Sequence, residues 1–165
     1  MLDCDTPVGK MFINEQYNTQ RILESKGYTF ISMATKDSGA DAFIAKKIDG
    51  VLTVCGVAEI KNRKMAGNTK LTVQYLKDNG GYLITNEKLK YGKNASEFFE
   101  IPFFLIVNIL EEEVILVWKV TNEYGSYMFD FVSRETETSM TCNGGVITRL
   151  NSYLPVDKAI KIDYK

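Results

Sequence analysis

The stretch from Gly39 to Lys61, GADAFIAKKIDGVLTVCGVAEIK, leaves the chain little freedom in what it can form there. Two runs rich in apolar and β-branched residues flank Asp49-Gly50, and an Asp-Gly pair between such runs is a strong hairpin signal. Asp41 stands near the start of the first arm, and Glu59-Ile60-Lys61 closes the second. Residues two apart in a strand share a face, so Glu59 and Lys61 point the same way. Register decides whether Asp41 joins them. A two-residue loop pairs Ile48 with Val51, sets Asp41 opposite Ala58, and sends Asp41 and Glu59 to opposite sides. A shift of one, through a three-residue connection or a bulge, brings Asp41 opposite Glu59 or Val57, and all three polar side chains then share a face. The sequence leaves both registers open, and a functional site needs the second.

Histidine is absent from all 165 residues. Ser-His-Asp and Cys-His catalysis and histidine-metal centres are therefore excluded, and any hydrolysis must draw on carboxylates, lysine and a hard cation. The three cysteines, Cys4, Cys55 and Cys142, are odd in number and far apart. That argues for a reducing compartment and against a zinc site or a disulfide framework. The opening MLDCDTPVGK has no apolar core of a secretory signal, so a cytoplasmic location is expected. The most apolar run, Ile101 to Leu110, is half the roughly twenty residues a membrane helix needs, so no membrane partner is expected.

With 45% hydrophobic and 25% charged residues, the chain has the profile of one globular domain spanning residues 1–165. Its net charge of −1 hides an uneven distribution. Between Ile60 and Lys93, eight basic residues (Lys61, Arg63, Lys64, Lys70, Lys77, Lys88, Lys90 and Lys93) face only Asp78 and Glu87. A locally basic face of this kind can neutralise phosphates, although solvated lysines on helix surfaces would give the same pattern.

Taken in order, residues 1–10 read as a loose lead-in, since Pro7 and Gly9 discourage regular structure. Met11 to Lys26 reads as a helix with Gly27 at its C-cap. Tyr28 to Met33 is a short strand before the hairpin. Asn62 to Asn68 is a basic loop, and a second helix spans Thr69 to Asp78, with Lys70 and Gln74 on one face. A strand over Tyr82 to Thr85 precedes a third helix over Glu87 to Glu100, broken near Gly92. Phe103 to Leu110 and Val114 to Thr121 form a strand pair around the charged turn Glu111-Glu112-Glu113. Short strands follow at Tyr127–Val132, Val146–Leu150 and Ala159–Ile162. With no repeat or linker, this is an α/β chain.

The order helix, strand, Asp-bearing hairpin, Glu-x-Lys, helix, strand resembles the PD-(D/E)XK nuclease superfamily, the fold of many restriction enzymes and junction resolvases. The resemblance rests on Gly39-Ala40-Asp41, on Glu59-Ile60-Lys61, on Glu15 in the first helix and on Gln74 in the helix after the motif. It covers residues 11–120, with Ala40 where the named motif has proline, and leaves 121–165 as an unmatched C-terminal extension. It implies a restriction-endonuclease-like mixed sheet flanked by helices, and a metal-dependent nuclease acting on DNA, in a family whose small chains often work as homodimers. Mg²⁺, with Mn²⁺ able to substitute, would be held by Asp41, Glu59 and the Ile60 carbonyl. Lys61 would orient or help deprotonate the attacking water, and Glu15 would support a second ion or the water shell. Gln74 or Lys70 would touch the phosphate, and Arg63 and Lys64 would bind the backbone.

Each of these residues also has a plainer reading. Asp41 suits a strand start, Glu59 and Lys61 a solvent-facing pair, and Glu15, Gln74, Lys70, Arg63 and Lys64 an ordinary surface. The alternative function is a nuclease-like fold kept as a DNA-binding or structural module. Phe98, Phe99, Phe103, Phe104 and Trp118 read as core, and Cys55 as a small buried hydrophobe.

Overall fold

At Asp49-Gly50 both residues take positive φ, 48° and 84°, the backbone of a tight hairpin turn whose twist matches its strands. This turn joins β2 (Ala42–Ile48) to β3 (Val51–Arg63) in the computed structural model, which describes residues 6–33, 40–63, 70–139 and 146–165. Ile48 pairs with Val51, and the ladder runs regularly to Ala45 opposite Val54. There it shifts. Ile44 pairs with Gly56, Phe43 with Val57 and Ala42 with Ala58, so Cys55 is the unmatched residue of a β-bulge. The chain thus uses the two-residue turn and still reaches the shifted register. Cys55 is half-exposed on this bulge rather than buried as expected.

The hairpin sits within a mixed six-stranded sheet of order β1-β2-β3-β5-β6-β9. The other strands are β1 (Thr29–Ser32), β5 (Phe103–Ile109), β6 (Val114–Lys119) and β9 (Ile160–Asp163). Only β3 and β5 run parallel. Their connection crosses over through α2 (Val73–Asp78), β4 (Tyr82–Thr85) and α3 (Asn86–Phe99), as a parallel pair requires. A second sheet, ordered β4-β8-β7, joins that β4 to β7 (Val132–Ser139) and β8 (Val146–Leu154). The protein is therefore α/β, with one large mixed sheet, one small antiparallel sheet and few helices. Among the described residues no helix is long and apolar enough to cross a membrane.

Alternation along the strands separates two cores. Val57 faces a cluster with Leu105, Val107, Trp118, Tyr82, Ile84, Leu89 and Leu154, beneath α3 and the small sheet. Ala58 and Ile60 face a second cluster with Ile106, Ile115 and Leu23 of α1 (Pro7–Glu24). The large sheet is thus buried on both faces, which explains the near-continuous apolar runs of its central strands.

Several element boundaries differ from the sequence reading for identifiable reasons. Helix α1 begins four residues early because Thr6 caps the Gly9 amide at 3.1 Å and Pro7 occupies the first turn, where its missing N–H costs nothing. Helix α2 begins at Val73, so Lys70 precedes it and shares no helix face with Gln74. The Glu111 and Glu112 carboxylates accept from the Leu71 and Val73 amides at that helix start. In the C-terminal third, Tyr127 makes one bridge with Thr121, and the strand begins only at Val132. Phe98 and Phe99, expected in the core, are 81% and 46% exposed at the end of α3.

Helix α3 runs unbroken through Gly92. That glycine is buried because the Phe103 ring lies against it, and a Cβ there would sit 2.3 Å from ring carbons. Gly92→Ala is expected to destabilise the protein by about 1–3 kcal/mol through overpacking, read as a lowered urea midpoint with unchanged slope.

Candidate active site

The β2–β3 ladder ends at Ala42 and Ala58, so beyond Ala58 that edge of β3 has no β2 residue paired with it. The other edge stays paired with β5 through Arg63 and Ile109. Asp41 stands one residue past the ladder, its N–H donating to the Ala58 carbonyl at 2.9 Å. Its Oδ2 accepts from the Ile60 amide at 2.7 Å, so the carboxylate takes the bond a further β2 residue would have supplied. The Ile60 carbonyl is held by Gln16 Nε2 of α1 at 3.2 Å. A buried polar chain fixes α1 in that position. Thr19 Oγ1 donates to Asn62 Oδ1 at 2.6 Å, and Asn108 Nδ2 donates to Thr19 at 2.9 Å.

Glu59 has no solvent exposure. Its Oε1 pairs with the Lys61 ammonium and lies 3.1 Å from Lys88 Nζ, and Lys88 also donates to Oε2 at 3.3 Å. The Lys61 ammonium hydrogen-bonds this carboxylate, so both lysines satisfy it. Burial, and then the neighbouring Glu59 carboxylate, raise the Asp41 carboxyl above its ordinary range, against the pull of Lys61, the Ile60 amide and Lys88. Burial alone would lower the Lys61 ammonium, but Glu59 and Asp41 outweigh it and hold Lys61 above the usual lysine value. The structure therefore brings Asp41, Glu59 and Lys61 together, along with the Ile60 carbonyl. Lys88, which sequence reasoning counted only among eight basic residues, completes the cluster from the first turn of α3.

Of this cluster, Ile60, Lys61 and Lys88 line a cleft of about 580 Å³, whereas the Asp41 and Glu59 carboxylates are not part of its lining. Lys61, Arg63, Lys88 and Arg149 contribute four cationic side chains to its lining, and among the described residues no Asp or Glu lines it. Arg63 is positioned by its Nε donating to Tyr82 Oη at 3.0 Å, and Tyr82 in turn packs on Trp118 with ring centroids 5.7 Å apart. Thr138 and Arg149 come from the small sheet, so the C-terminal extension that matched nothing in the sequence reading forms part of this wall.

Other expected site residues lie elsewhere. Helix α1 turns Phe12 and Gln16 to the cleft, whereas Glu15, about 100° around the helix from Gln16, does not line it. Gln74 is exposed on α2 and donates to Asp78 Oδ1 at 2.7 Å, and Lys70 is exposed ahead of that helix. Lys64 falls outside the described residues.

The donor set suits a hard divalent cation in type. It offers two carboxylates, Asp41 and the lysine-paired Glu59, beside a main-chain carbonyl. No cluster of three or more Asp, Glu, His or Cys side chains able to hold a metal occurs among the described residues. The chain matches no protein-family model, no curated protein and no solved structure. The site is therefore read from its own geometry.

Asp41→Asn keeps an oxygen for the Ile60 amide and removes a charge that burial and Glu59 oppose. For a carboxyl raised on folding, the ionised form carries a stability penalty above the raised value, relieved as pH falls through it. The variant should therefore match or exceed the parent in thermal midpoint at neutral pH, with its advantage shrinking as the solution is acidified. A variant markedly less stable at neutral pH would contradict this balance.

Proposed function

We propose that the protein is a metal-dependent nuclease that hydrolyses phosphodiester bonds in DNA, on a restriction-endonuclease-like fold. The observation that carries the reading is the convergence of Asp41, Glu59 and Lys61 near the end of β3, beside a cleft lined by four cations and by no acid among the described residues. A phosphodiester is repelled by a carboxylate pair unless cations intervene, and the flanking ammonium and guanidinium groups supply them.

Asp41, Glu59 and the Ile60 carbonyl are the groups that would hold Mg²⁺ or Mn²⁺. When bound, such an ion supplies Lewis acidity toward a phosphoryl oxygen and makes a coordinated water more acidic. Lys61, close to Glu59 and lining the cleft, neutralises charge growing on the phosphate oxygens. Lys88 holds the Glu59 carboxylate in place from the opposite element. Gln16 fixes the orientation of the Ile60 peptide. Arg63 and Arg149 engage the flanking backbone phosphates.

A second reading, a DNA-binding module without catalysis, is favoured by one specific observation. The two lysines already neutralise Glu59, which leaves the cluster electrostatically complete by itself.

The two readings separate in a cleavage assay on plasmid, single-stranded and branched DNA with Mg²⁺ or Mn²⁺. The nuclease reading expects cleavage, lost by about a hundredfold or more in Glu59→Gln and in Lys61→Ala, because both groups act directly at the reacting phosphate. Full activity in either variant would refute it, and salt-dependent binding without cleavage under either ion would favour the module.

A further inference from the structure

The strands β7 and β8 outrun the small sheet. Strand β4 pairs with β8 only from Asn151 to Leu154, whereas β7 and β8 continue as a two-stranded ribbon from Glu135 and Leu150 out to Ser139 and Val146. Those five pairs extend about 16 Å at the usual rise per residue. Alternation sorts their charge. One face carries Thr136, Thr138, Ile147 and Arg149, with Arg134 at its base, 4.2 Å over the Tyr153 ring. The other carries Glu135 and Glu137 with Val146, Thr148 and Leu150. Thr138 and Arg149 line the cleft, so the ribbon turns its acid-free face inward.

The opposing wall comes from the other side of the large sheet. Helix α1 packs on the Ala58 and Ile60 face, while β4 and β8 belong to the Val57 face. Phe12 of α1 and Arg149 of the ribbon nevertheless line one cleft, which lies where the two layers part at the end of β3. A cleft of about 580 Å³ is of small-ligand size. That volume corresponds to roughly one or two nucleotides. A half-buried aromatic ring beside a row of cations is the usual equipment for holding one strand, the ring stacking on a base and the cations following phosphates.

Resting on the nuclease reading of the same site, we infer that the substrate enters as a single DNA strand, threaded between α1 and the β7–β8 ribbon. Arg149 holds a phosphate and Phe12 stacks on a base. A duplex reaches Lys61 only where its strands have separated, at an unpaired end or a branch.

Binding tests this apart from catalysis. Fluorescence anisotropy in EDTA compares labelled oligothymidine with a blunt hairpin duplex of equal charge. Oligothymidine is expected to bind about tenfold more tightly or better. Arg149→Ala is expected to lose about tenfold and to lower the salt slope by about one phosphate contact, and Phe12→Ala to lose a similar factor with an unchanged slope. Glu137→Ala, on the outward face, should bind at least as well as the parent. Equal or tighter duplex binding, an unaffected Arg149→Ala, or no binding to either probe would overturn the inference. The cleavage assay is read separately. Selective single-strand binding without cleavage removes the nuclease reading and supports this one, whereas cleavage within blunt duplexes with no single-strand preference does the reverse.

Discussion

A carboxylate shut away from water beneath an apolar sheet face must be protonated or matched by positive charge, because the cost of an isolated buried ion exceeds what packing can return. Glu59 is such a group, and the elements around it are arranged to meet that need. Lys61 reaches it from the same strand and Lys88 from α3. The first turn of α3 therefore has an electrostatic reason to lie across β3, beyond the packing of Leu89 and Gly92 against the core. Asp41 adds a second acid to the same neighbourhood, so the two ammonium groups are shared between two carboxylates, and burial with Glu59 raises the Asp41 carboxyl.

The hairpin, its turn and the pairing of Glu59 with Lys61 were legible from residues alone, because Asp-Gly and period-two alternation are local signals. The register was not. The bulge at Cys55 depends on how β3 bends while passing from a free hairpin to a sheet with β5 on its other edge, and no local pattern encodes that bend. Lys88 escaped notice for a related reason. Its partner lies 29 residues back, and a lysine in the first turn of a helix looks like any solvated one. The family resemblance pointed to Glu15 and Gln74, whereas the tertiary arrangement turned Gln16 inward and paired Gln74 with Asp78. The first outcome hinges on the rotation of α1, which depends on distant residues. The Thr19–Asn62–Asn108 bonds settle it through contacts 43 and 89 residues apart.

The C-terminal third acquires a role from the same geometry. Strand β8 ties β4 into a second sheet, and Trp118 anchors the connection beyond it by donating to the Pro155 carbonyl at 2.8 Å. That small sheet does two things at once. Its inner residues Leu154, Tyr82 and Ile84 close the core, while its projecting ribbon carries Thr138 and Arg149 to the cleft. The cationic lining is thus collected from three separate segments, β3, α3 and β8, which explains why a net charge near zero coexists with a strongly positive concavity.

The bulge at Cys55 also divides the hairpin into two mechanically separate halves. Towards the tip, pairing is dictated by the turn, and there Ile48, Val51 and Leu52 are largely exposed. Towards the base, pairing is dictated by the buried sheet. The single unmatched residue acts as an expansion joint between them, so a length change in the outer half is absorbed before it reaches the acids. Evolution is consequently free to reshape the hairpin tip, in length as well as in composition, while the spacing of Asp41 and Glu59 stays fixed.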